Sequence, residues 1–123
     1  MQLLASSGTE GNNKLSEGLN LINGKVINLK ELGSNLVLPH IGWNNILIKN
    51  RSPILKNIPD NTDFYFVHNY AYTELSKVNI IAEASYGINF PVLINNKNVW
   101  GTQFHPEKSS KAGVEIIKNF IKL

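Results

Sequence analysis

Between residues 36 and 104 the chain breaks every few residues, and that punctuation constrains its fold more than any other feature. Short apolar or alternating segments at residues 36–38, 45–49, 63–70, 79–84, 90–94 and 99–104 are bounded by Pro39, Gly42, Pro53, Pro59-Asp60-Asn61, Gly87 and Asn95-Asn96. These bounding residues have turn chemistry, so the segments read as short strands. One amphipathic helix follows over 109–123: Lys111, Glu115, Lys118 and Lys122 recur opposite Val114, Ile116, Ile117, Phe120 and Ile121, a pattern that predicts packing on a sheet. Before the strands, Leu3, Leu4 and Ala5 read as the end of a helix stopped by Ser6-Ser7-Gly8. Residues 8–24 read as a long glycine-rich connection, and residues 26–29 as a short strand. Residues 39–44 read as a turn with an indole at its tip. There is no internal repeat. Strand-rich chains with helices only at their ends make α+β domains or parts of larger α/β ones.

Composition narrows the function classes. A chain of 123 residues fits one domain with a real core. It has no cysteine, which excludes disulfides, zinc–thiolate sites and a cysteine nucleophile within these residues. No apolar run approaches the ~20 residues of a membrane helix, and the first residues lack a signal-peptide pattern, so a cytoplasmic protein away from membranes is expected. The net charge of +3 comes from eleven Lys and one Arg spread along the chain, without the basic stripe and interleaved aromatics of a nucleic-acid reader. The 18 Asn, scattered among Lys and Ile, read as codon bias without function.

The stretch most suggestive of chemistry is Val99-Trp100-Gly101-Thr102-Gln103-Phe104-His105-Pro106-Glu107. A strand delivers His105 to its C-terminal end, where open α/β sheets place ligands, and Pro106 stops the ladder. Glu107, two residues on, is close enough to accept a bond from the imidazole and fix its tautomer, the base half of a nucleophile–His–acid triad. For these three residues alone a plain surface turn is the readier reading. A metal site built from His40, His68, His105 and Glu107 is the weaker reading, because one His and one neighbouring Glu are too few ligands. Phe64-Tyr65-Phe66-Val67-His68-Asn69-Tyr70 reads as an aromatic strand ending in groups that could orient a small polar substrate, or as a core strand with a satisfied His68. Trp43 reads as a core plug or a partner anchor.

Together, Gln103-Phe104-His105-Pro106-Glu107-Lys108-Ser109, Tyr65-Phe66-Val67-His68 and Pro39-His40-Ile41-Gly42-Trp43-Asn44 resemble the triad-type (class I) glutamine amidotransferases. Within them they resemble most the branch that serves as glutaminase subunit of imidazole glycerol phosphate synthases in histidine biosynthesis. The resemblance runs from Met1 to Leu123. It implies a flavodoxin-like three-layer α/β fold, of which this chain is the C-terminal part of a single domain, strand-rich with a terminal amphipathic helix.

The resemblance also implies hydrolysis of glutamine through a cysteine thioester. Ammonia then passes to a (β/α)₈-barrel cyclase in a heterodimer, and no cofactor is needed. By carry-over, His105 is the base and Glu107 its orienter. Gln2 and Glu10 contact the substrate, as does the segment His68-Asn69-Tyr70, where Asn69 stands in place of the usual Ser. Trp43, Asn44 and Lys108 face the cyclase. In the family, Met1-Gln2-Leu3-Leu4 follows a Gly-x-Cys-x-Gly elbow that bears the nucleophile and one oxyanion donor. The chain as given starts after it and is therefore expected to lack the opening strands and to be inactive alone. An unpaired sheet edge and one bare apolar helix face are expected to make it poorly soluble. A non-catalytic cyclase-binding domain and an amidotransferase for surface-polysaccharide sugar amidination are the alternatives.

Overall fold

A computed structural model describes residues 1–11 and 14–123. Among these residues ten strands form three sheets, and one α-helix follows them. Strands β1 (Ser7–Gly8), β2 (Ser16–Glu17), β3 (Lys25–Asn28) and β7 (Tyr70–Thr73) make one sheet in the order β2-β1-β3-β7, parallel only between β1 and β3. Strands β5 (Leu47–Ile48), β8 (Ile80–Ser85), β9 (Asn89–Asn96) and β10 (Val99–Thr102) make an antiparallel sheet in the order β10-β9-β8-β5. The third sheet is a two-stranded ribbon of β4 (His40–Asn45) and β6 (Asp63–His68). Helix α1 (Ser110–Ile121) closes the chain.

The buried side chains explain this arrangement. Residues 90–94 of β9 are buried in succession, the pattern of a strand covered on both faces. Pro91, which has no N–H to give a ladder, sits opposite Glu83 where the β8–β9 register shifts. Strand β6 alternates instead: Phe64, Phe66 and His68 point inward, whereas Val67 is 38% exposed. The main core joins Leu29, Ile46, Phe64, Phe66, Phe90 and Leu93 with Phe104 and Ile116, and a smaller cluster joins Ala5, Ile22, Val26, Tyr72 and Ile94. Burial pushes the Tyr72 hydroxyl up to about 12, and it donates to the Ile22 carbonyl.

The sequence expectations hold for most strands and fail where polar residues form ladders. Residues 39–44 are not a turn: His40–Asn45 is a full strand in register with Asp63–His68, with His40 inward and Ile41 and Trp43 outward. Gly42, at φ +125°, sits within it. Residues 36–38 form no strand: Val37 is 82% exposed and has no ladder partner. The expected strand 63–70 breaks at Asn69, where the chain leaves the ribbon for the β7 sheet. Within the long connection, β2 pairs antiparallel with β1, and the first element is a 3₁₀ turn, Gln2–Leu4, rather than the end of an α-helix. Helix α1 buries Gly113, Ile116 and Asn119. Val114, Ile117, Phe120 and Ile121 of its apolar stripe lie 50%, 41%, 51% and 76% exposed, so of the stripe expected to pack on a sheet only Ile116 is buried.

Candidate active site

The last β-strand ends at Thr102, and the chain then crosses the core through Gln103 and Phe104. Gln103 N–H donates to the Val92 carbonyl at 2.8 Å, and Phe104 packs on Phe64 with ring centroids 4.2 Å apart. His105 emerges at the rim, its N–H bonded to the Tyr65 carbonyl of β6 at 2.9 Å. Pro106 opens the 3₁₀ turn Pro106–Lys108, where its missing N–H costs nothing. The turn returns Glu107 toward the imidazole, and His105 Nδ1 meets Glu107 Oε1 at 2.8 Å. A carboxylate accepts only, so Nδ1 carries the proton and Nε2 is left as the basic nitrogen. Among the described residues Nε2 has no hydrogen-bond partner, and the His105 side chain is 37% exposed. Hydrogen bonds from its own backbone N–H and from His105 hold the Glu107 carboxyl below its ordinary value, with the His105 and Lys108 charges adding to them.

Ser109 seats this turn, a role with no signal in the sequence beyond a helix start. Its buried hydroxyl donates to the His105 carbonyl at 2.6 Å and accepts the Tyr65 N–H at 3.0 Å, tying the turn to β6. Gly113 is equally specific: a Cβ there would collide with the Pro106 carbonyl, so only glycine lets α1 approach this closely.

The remaining expected site residues fall into three groups. Gln2 and Glu10 line one cavity of about 260 Å³ with Ser7, Ser16 and Glu17. Gln2 Nε2 also reaches Gln103 Oε1 at 3.4 Å, two residues from His105. His68 is buried beside His40, while Asn69 is exposed and its carbonyl accepts the Leu29 N–H at 2.9 Å. Tyr70 is half-buried at the start of β7. Trp43 is 55% exposed, edge-on to Tyr65 at 6.0 Å, whereas Asn44 donates to the Ser85 carbonyl at 2.9 Å and to His40 Nε2 at 3.3 Å. Lys108 is exposed beside Glu107.

Among the described residues no group of three or more His, Asp or Glu could hold a metal ion, so the metal reading has no site there. No described helix is long and apolar enough to cross a membrane.

Comparison with known proteins gives a consistent picture. The family profile described as "Glutamine amidotransferase class-I" matches residues 1–123. The chain is 48% identical to the imidazole glycerol phosphate synthase subunit HisH of Methanosarcina barkeri, over 99% of this chain and 59% of that protein. It is 42% identical to the Leptospira borgpetersenii subunit of the same name, over 100% of this chain and 60% of that one. The chain thus spans about three-fifths of the length of these relatives. Its fold is similar to the crystal structure of a putative GMP synthase subunit from Thermoplasma acidophilum, with a TM-score of 0.62 at 19% identity over 80% of this chain and 47% of that one.

Proposed function

Because the chain belongs to the class-I glutamine amidotransferase family, we propose that it forms the base-bearing part of the glutaminase subunit of an imidazole glycerol phosphate synthase. The observation that carries this reading is the His105–Glu107 pair: Nδ1 is held by a carboxylate at 2.8 Å, and Nε2 is unpaired at the protein rim.

In the proposed reaction, His105 Nε2 removes the proton from a cysteine thiol. The sulfur attacks the side-chain carboxamide of glutamine, and the imidazolium returns the proton to the departing nitrogen, which leaves as ammonia. Nε2 then takes a proton from water as it attacks the thioester, releasing glutamate and the thiol. Glu107 keeps Nδ1 protonated and steadies the cation formed in each half. Gln2 and Glu10 offer an amide and a carboxylate in one cavity, the chemistry that would hold the amino-acid end of the substrate. These 123 residues contain no cysteine, so the reaction requires one from outside them.

The ammonia acceptor in this proposal is a (β/α)₈-barrel cyclase in a heterodimer. Its docking is supported by the ribbon's outer strip, where Ile41 and Trp43 stand 58% and 55% exposed opposite Val67 and Tyr65. The protein is placed in the cytoplasm, with no cofactor.

The test is to translate the DNA preceding codon 1 and assay glutamate release. An in-frame Gly-x-Cys-x-Gly just before Met1, with activity in the longer product and none in the 123-residue chain, supports the proposal. Its absence, together with co-purification of a barrel protein and no glutamate release, would replace it with a non-catalytic cyclase-binding domain. A sugar-amidinating neighbour gene in place of the cyclase would move it to surface-polysaccharide chemistry.

A further inference from the structure

Two backbone carbonyls in different sheets, Ser85 of β8 and Tyr70 of β7, are joined by a row of three side chains. Asn44 Nδ2 donates to the Ser85 carbonyl at 2.9 Å and also lies 3.3 Å from His40 Nε2. His40 Nδ1 meets His68 Nε2 at 2.9 Å, and His68 Nδ1 meets the Tyr70 carbonyl at 2.8 Å. His40 and His68 are 3% and 7% exposed. The His40 ring is stacked between Phe66 and Tyr86, with centroids at 4.9 and 4.1 Å and planes within 23°, so its orientation is fixed by packing.

The ends of the row set its direction. A carbonyl cannot donate, so His68 Nδ1 must carry a proton, and in a neutral ring its Nε2 then accepts. His40 Nδ1 must therefore donate and His40 Nε2 accept, which is what an amide N–H from Asn44 requires. Reasoning from the Asn44 end gives the same answer: the Ser85 carbonyl fixes which amide atom is nitrogen, so His40 Nε2 faces a donor. Both ends agree on one arrangement, in which every polar atom of two buried imidazoles is satisfied without charge.

We propose that this one-way row, Asn44 to His40 to His68 to the Tyr70 carbonyl, makes His40 and His68 positioning residues: locked as Nδ1–H tautomers, they hold the Asn69–Tyr70 corner in place. Both ring nitrogens of His68 are spent inside the protein, so His68 gives no ring contact to a substrate, and contact from this corner falls to Asn69 and Tyr70. The row also ties the ribbon carrying Trp43 to both larger sheets. This refines the glutaminase reading and rests on it for its catalytic consequence, but the tautomers stand on geometry alone.

The decisive measurement is magic-angle-spinning NMR of the chain labelled with ¹³C,¹⁵N-histidine, which tolerates self-association, with His105→Asn used to assign the third ring. The expected result is a pyrrole-type Nδ1 and a pyridine-type Nε2 in both His40 and His68, with coupling between His40 Nδ1 and His68 Nε2. An Nε2–H ring at either position overturns the proposal.

Asn44→Asp tests the direction. An acceptor at 44 draws a proton onto His40 Nε2: either His40 Nδ1 gives up its own and the signal of His68, which position 44 does not touch, changes with it, or His40 becomes an imidazolium with both ring nitrogens protonated. An unchanged His40 Nε2 signal in folded protein overturns the row, and if the variant does not fold the wild-type spectrum still decides.

In the active assembly, His40→Leu should raise KM for glutamine about tenfold with kcat within about twofold, and His40→Asn, which keeps a donor, should restore it. An unchanged KM in His40→Leu overturns the positioning role. A wild-type assembly without glutaminase activity would instead overturn the glutaminase reading and leave the tautomer result intact.

Discussion

His40 and His68 meet at 2.9 Å, and His105 and Glu107 meet at 2.8 Å. Distance therefore does not separate the two pairs; the state of the remaining nitrogens does. In the first pair, Asn44 and the Tyr70 carbonyl occupy the outer nitrogens and aromatic rings close over the imidazoles. Burial pulls His40 down to about 4, with the facing His68 ring adding to the effect. His68 is lowered by burial and by His105, against the raising effect of its bond to Tyr70. In the second pair a carboxylate holds one nitrogen and the other is unpaired at the rim. A histidine with all its bonds made specifies shape, and one with a bond left over is available for proton transfer.

The largest effect expected from breaking this contrast is at the open pair. In the active assembly, His105→Asn should lower glutamate release by about a thousandfold or more, since the base of a triad acts as part of a unit. A loss under tenfold would remove His105 from the chemistry.

The closed pair should break with acid. Its folded-state affinity for protons is depressed, so below about pH 6.5 the unfolded chain binds more protons than the folded one. Stability is full above that pH and falls toward pH 4, by about 2–3 kcal/mol from His40. Urea midpoints across this range should fall in the wild type and fall less in His40→Leu; parallel curves would contradict the assignment.

Ser109→Ala leaves both pairs intact but unseats the open one from β6, stranding the Tyr65 N–H. We expect a cost of about 1–3 kcal/mol in urea unfolding. The smallest effect is at the ribbon's outer face, where Trp43→Ala should change stability by less than about 0.5 kcal/mol, as for exposed sites generally, while weakening cyclase capture in a pull-down.

How legible these features were in the sequence follows from what each depends on. His105 and Glu107 were readable because their pairing is local: two residues and a proline decide it. Strands β8, β9 and β10 were readable because apolar runs and turn residues bound them. Strand β4 was not, because Gly42, Asn44 and Asn45 look like loop composition, and its place is set by a distant partner, with His40 paired to His68 and Asn45 to Asp63. The His40–His68 contact and the Ser109 bridge were hidden for the same reason: both are made across the ribbon or between it and the turn. In α1 the heptad-like stripe was visible, but which side would be covered was not. Gly113 and Asn119 pack against the Pro106–Lys108 turn and the Ile54–Lys56 segment, and leave Val114, Ile117 and Ile121 outward.

The asparagines, read above as compositional bias, have a physical consequence. Asn50 donates to the Lys77 and Ile80 carbonyls, Asn95 to Lys97 and Val99, and Asn119 to Ile54 and Lys56. Asn79 donates to Asn95, and Asn96 to Leu21. Each side-chain amide fastens a loop to a carbonyl with no charge involved, and among the described residues only Lys25–Glu74 and Lys49–Glu83 are lysine–carboxylate pairs. Loops fastened this way are indifferent to ionic strength, because there is little charge to screen. Their weakness is chemical: amides are lost to slow hydrolysis on heating, and every such loss replaces a donor with a carboxylate facing a carbonyl. A protein built on such fasteners resists brine better than it resists warm storage.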